Sequence, residues 1–184
     1  MTVAAAPQAL LGRVDWRFLL PNADLGDVGI LGRPDPALPL ALRQAGARLP
    51  GRPPYDTVVL VQPRADDLLT ARAVLRPGGQ LWAEVSRPPW ALLSPLPLPL
   101  APLWCARLAR AGFVGATAFW LAPHPARTTH VVPLASRAAV AHLAGRSQGS
   151  PTGRAKAALL RALLLARVAG LAAPCVGLVA GRQG

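Results

Sequence analysis

Three side chains stand where an α/β protein does chemistry. Glu84 lies in the run Gln80-Leu81-Trp82-Ala83-Glu84-Val85, with Ser86 and Arg87 just beyond it. A carboxylate near the end of a strand is placed to act as a general base or to contact a substrate; the competing role is a salt bridge to an arginine. Gln62 follows the strongest strand pattern in the chain, Tyr55-Asp56-Thr57-Val58-Val59-Leu60-Val61. Open α/β sheets bind ligands beyond the carboxyl ends of their strands, so its amide is a candidate ligand contact, set against the plainer role of a loop amide facing water. Asp35 sits in the turn Gly32-Arg33-Pro34-Asp35-Pro36, where a turn or cap role suits a short carboxylate.

Other chemistries find less support. His124, His130 and His142 share no metal-ligand spacing, and no acidic residue follows them at such spacing, so no metal is expected. Ser94, Ser136 and Ser147 lack the GxSxG elbow of serine hydrolases, and there is no phosphate-binding glycine loop. Cys105 and Cys175 stand without CxxC or CxH neighbours, which predicts reduced, buried thiols and neither a zinc site nor a disulfide framework.

The 184 residues suit one domain, and at 52% hydrophobic and 15% charged they exclude a disordered polyelectrolyte. Twenty basic residues against eight acidic give a net charge of +12, nearly all of it arginine, because Lys156 is the single lysine. Such a balance favours anionic partners and says nothing about fold. Arg154, Arg161 and Arg167, with Lys156, mark one side of an otherwise apolar helical stretch at 154–169. That stripe is a candidate contact for a partner protein, a phosphorylated carrier or an anionic membrane surface, or it is a solvated helix face. Nucleic-acid binding is not expected, since no recognition motif accompanies the charge. The start MTVAAAPQALLGRVDW lacks the basic and apolar regions of a secretory signal, which predicts a cytoplasmic protein. Prolines interrupt one apolar stretch, and arginines, Gly170 and Pro174 another, so neither is expected to span a membrane.

Hydrophobic periodicity supplies the elements that would hold these side chains. A docking segment or short helix around Asp15–Leu20 precedes a strand at 28–31, a helix at 37–49, the strand at 55–61, a helix opened by Asp66 and Asp67, and a strand at 80–85. A proline-rich loop, a helix at 103–111, a strand pair at 113–121 and 128–134 on the sheet edge, a helix at 137–143, a basic helix and a final strand at 175–180 complete the chain. Residues 1–24 read as an N-terminal docking segment, 25–134 as the core, and 135–184 as a helical extension with a last strand. Strands alternating with helices predict an α/β domain with a mostly parallel sheet, helices on both faces and an antiparallel edge strand.

The strand at Tyr55–Leu60, a helix, and then Leu75-Arg76-Pro77-Gly78-Gly79-Gln80-Leu81 resemble the central part of class I S-adenosylmethionine-dependent methyltransferases, where an LxPGGxL segment precedes the fifth strand. Ala109-Arg110-Ala111-Gly112-Phe113, followed by Ala118-Phe119-Trp120, looks like that family's next helix, its AGF turn and the following strand. The resemblance covers roughly residues 25 to 134 and implies a Rossmann-like fold, S-adenosylmethionine as cofactor, and methyl transfer to a small or lipid-linked acceptor by positioning. Carried onto this chain, Gly32 takes the place of the cofactor loop after the first strand, Asp35 stands in for the missing ribose-binding acid, Gln62 meets adenine or substrate, and Glu84 is the catalytic carboxylate. The loop is degenerate: Ile30, Arg33 and Pro34 replace the usual acidic and small residues, no acid lies between Ala45 and Tyr55, and the second and third strands are shortened or missing. The alternative is a non-catalytic scaffold of the same fold that holds a partner or membrane through its arginine-rich surface. An open or a filled crevice at residues 32 to 35 and 62 to 63 separates the two.

Overall fold

Alternation along the strands builds the molecule, a computed structural model that describes residues 10–87, 100–146 and 173–184. In β2 (Tyr55–Val61), Val58 and Leu60 pack on one side and Val59 and Val61 on the other, all four buried, as a strand covered on both faces requires. The same division runs through β3 (Leu75–Ser86), where Leu81, Ala83 and Val85 oppose Trp82, and through β6 (Cys175–Arg182), where Val176, Leu178 and Ala180 oppose Cys175 and Val179.

These strands join β1 (Val28–Gly32), β4 (Phe113–Ala122) and β5 (His130–Pro133) in a six-stranded sheet of order β1-β2-β3-β6-β4-β5. The β1–β2 and β2–β3 ladders are parallel; β6 runs antiparallel between β3 and β4, and β5 is the antiparallel edge. Four strands thus share one direction. A 3-10 segment, Gly12–Leu19, and α1 (Ala37–Gln44) cover one face; α2 (Ala65–Val74), α3 (Leu100–Arg110) and α4 (Arg137–Arg146) cover the other. The fold is α/β and Rossmann-like, with the strand pair β4–β5 on one edge as the patterning predicts.

Several boundaries differ from the pattern for local reasons. The helix expected to reach Leu49 stops at Gln44, because Gly46 adopts φ +90° and turns the chain out of the helix. α3 begins at Leu100, three residues early, with Pro102 in its first turn, where a missing N–H costs nothing. Leu75-Arg76-Pro77-Gly78-Gly79 is drawn into β3 itself: the register to β2 skips between Tyr55/Leu75 and Thr57/Gln80, and Gly78 takes φ +73° at the irregularity. The last strand lies inside the sheet, a placement that no local pattern announces. β1 is the opposite edge, and no second or third strand lies beyond it among the described residues; the bridge Asp27–Arg48 runs beside its start. The 154–169 stripe, Ser94 and Ser147 lie outside the described residues. No helix of the described residues is long and apolar enough to cross a membrane.

Candidate functional site

The even-numbered residues of β3 meet the N-terminal segment one after another. Gln80 exchanges hydrogen bonds with the backbone of Asn22, donating to its carbonyl at 2.7 Å and accepting from its N–H at 3.0 Å. Trp82 carries the Trp16 indole stacked on it, centroids 4.8 Å apart and planes 3° apart. Glu84 receives Arg13. The segment is therefore a strap lying along β3 in the reverse direction, pinned at the amino end by an amide, in the middle by two indoles and at the carboxyl end by an ion pair. Gly177 in β6 makes this possible, because a Cβ there would fall within the Trp82 ring.

Arg13 is the centre of the site. Its Nη1 and Nη2 donate to the two oxygens of Glu84, each at 2.6 Å, while Nε and Nη2 donate to Asp35 Oδ2 at 3.0 and 2.9 Å. Such bidentate pairing is a use of arginine that lysine cannot reproduce. Arg13 is 4% exposed and Glu84 1%, so both charges have left water and depend on each other. Trp82 Nε1 donates a third bond to Glu84, at 3.1 Å. Asp35 spends its other oxygen on the N–H groups of Ala37 and Leu38, at 3.0 and 3.1 Å, and so caps α1 as well. Burial alone would lower the proton affinity of the Arg13 guanidinium; the bonds and charges of Glu84 and then Asp35 outweigh it and raise the pKa above the ordinary arginine value.

The structure brings all four candidate positions to the carboxyl ends of the parallel strands β1 to β3 and gives each a structural partner. Gly32 turns out of β1 at φ +93°, and a side chain there would collide with the Val61 carbonyl oxygen, which also accepts from Arg33 N at 3.0 Å. The room left by its missing side chain belongs to β2. Gln62, at φ 52°, accepts from Ser86 N at 3.1 Å and donates its own N–H to the Glu84 carbonyl at 2.8 Å, tying the ends of β2 and β3 together. Asp35 and Glu84 hold Arg13. An open cleft of about 90 Å³ lies between Arg13, Asp15 and Trp16 of the strap and Leu121, Thr128 and Val131. His124 accepts from Ala126 N at 3.2 Å, His130 faces Thr129, and among the described residues no three His, Cys, Asp or Glu side chains converge on a common point.

Sequence reasoning missed Arg13. Its partners lie 22 and 71 positions away, and no spacing marks a contact of that range. One signal was available: Gln80 and Glu84 share a face of a central strand with Trp82, and polar groups buried there demand partners from elsewhere in the chain.

As they stand, these residues do not form a cradle for S-adenosylmethionine. The glycine turn packs on β2, the replacement acid is bound twice over, and no acid-bearing strand follows β1 among the described residues.

No family model matches the chain, and no curated protein matches it. Among solved structures, the chain is similar to an S-adenosylmethionine-dependent methyltransferase, possible histamine N-methyltransferase, from Thermotoga maritima, at 13% identity over 96% of this chain and 89% of that one, TM-score 0.44. It is also similar to phosphoethanolamine N-methyltransferase 2 of Haemonchus contortus, with phosphomonomethylethanolamine and S-adenosylhomocysteine bound, at 10% identity over 80% and 41% of the two chains, TM-score 0.36. A third is the [4+2]-cyclase SpnF, at 17% identity over 94% and 71%, TM-score 0.36.

Proposed function

We propose that this chain is a methyltransferase-like α/β protein that works without S-adenosylmethionine, as a non-catalytic scaffold offering its basic surface to a protein partner. Arg13 carries this reading. Its guanidinium fills the space between Asp35 and Glu84 that a cofactor and a catalytic carboxylate would need, and it removes Glu84 from any role as a base. The methyltransferase-like part rests on motif order: the Tyr55 strand, the LRPGG segment and the AGF turn fall on β2, β3 and the α3–β4 junction of a Rossmann-like sheet.

Calorimetric titration with S-adenosylmethionine and S-adenosylhomocysteine tests it, on the wild type and on an Asp35→Ala, Gln62→Ala variant. No heat and no thermal stabilisation at millimolar ligand is the expected result. Saturable binding that the variant loses would overturn it in favour of the second reading, which the motif order favours: methyl transfer to a small or lipid-linked acceptor.

A further inference from the structure

We infer that the crevice at the carboxyl ends of β1 to β3 is a receptor for a guanidinium group, filled in this chain by its own Arg13. The inference rests on the reading that S-adenosylmethionine does not occupy this crevice, and it names the ligand class that does.

Two carboxylates from different elements converge on two adjacent edges of one planar group. Glu84, on β3, takes the Nη1–Nη2 edge, and Asp35, after β1, takes the Nε–Nη2 edge. A flat fork satisfies both at once; an ammonium is a point charge and does not. The receptor is also held from behind by the body of the protein and not by the strap. Trp82 Nε1 fixes one oxygen of Glu84, and the first N–H groups of α1 fix Oδ1 of Asp35. Toward the two carboxylates, the strap supplies the Arg13 ligand. Deleting the Arg13 side chain therefore leaves two oriented carboxylates, each still held by its own hydrogen bonds, around a hole of guanidinium shape. An arginine side chain from outside presents the same two edges as Arg13.

Chemical rescue tests this on the full-length Arg13→Ala variant, with methylguanidinium as the probe. Millimolar methylguanidinium raises its melting temperature in proportion to the logarithm of concentration. It leaves the wild type, whose site is filled, and an Arg13→Ala, Glu84→Gln variant unmoved, and methylammonium at the same concentration gives no comparable rise. Equal shifts in all three proteins, or none in Arg13→Ala, overturn the inference. Should Arg13→Ala not fold alone, the readout becomes recovery of the near-ultraviolet signal of the Trp16–Trp82 stack on refolding with methylguanidinium; no recovery overturns it equally. Neither failure touches the calorimetry of the wild type, so the two proposals fail separately.

Discussion

Both terminal nitrogens of Arg13 lie 2.6 Å from the oxygens of Glu84, a residue 71 positions further along the chain. Removing one partner strands the other charge in a dry site, at a cost of about 3–5 kcal/mol. Arg13→Ala is expected to lose that much in urea denaturation. Adding Glu84→Gln to it should restore part of the loss, because the orphaned charge goes with it; a double-mutant cycle with no coupling would show that the pair does not hold the strap.

Trp16 is buried against Trp82 and adds a stacked pair to its buried area. Trp16→Ala should cost about 3–5 kcal/mol and abolish the stacked-indole circular dichroism while leaving the far-ultraviolet spectrum of the sheet intact. Loss of both signals together would mean that the strap and the sheet fold as one unit.

Gly32 and Gly46 have similar positive φ values, +93° and +90°, but different surroundings. A Cβ at Gly32 meets the Val61 carbonyl, whereas one at Gly46 meets nothing within 4 Å. Gly46→Ala should therefore cost about 1 kcal/mol, the price of the backbone alone, and Gly32→Ala about 3 kcal/mol, since the end of β2 must also move. Equal losses in thermal melts would remove the packing role given to Gly32.

Burial raises the thiol pKa of Cys105, and chiefly burial raises that of Cys175, with the nearby Ser86 hydroxyl opposing it and the charge of Glu84 adding to it. The fold thus favours the neutral thiols, and at about pH 8 each carries less thiolate than an ordinary cysteine. Iodoacetamide labelling followed by mass spectrometry should be slow at both, slowest at the buried Cys175, and should accelerate in urea. Fast labelling of Cys175 in buffer would contradict its place in β6.

Local chemistry made much of the fold readable. The β-branched run at 55–61 is β2 to the residue, because both flanks are marked by proline and both faces are apolar. The site was readable only by halves. Glu84 stood out as a carboxylate in a strand, and a salt bridge was one of its two roles, but the arginine that fills that role comes from the N-terminal segment through tertiary docking. Helix α3 began early because proline disrupts a helix interior and not its first turn. The interior position of β6 is a matter of long-range order, which hydrophobic alternation does not encode.

β3 and β4 do not pair with each other; each pairs with β6, which is made last of the three. During synthesis, then, two long strand edges emerge from the ribosome and wait, unpaired, for residues 175–182. Open edges of this kind recruit other chains, and a ladder closed across so much sequence forms slowly. The yield of soluble protein in a cell depends on how well chaperones cover those edges before the last strand arrives, and a ribosome stalled short of residue 175 releases a chain primed to aggregate.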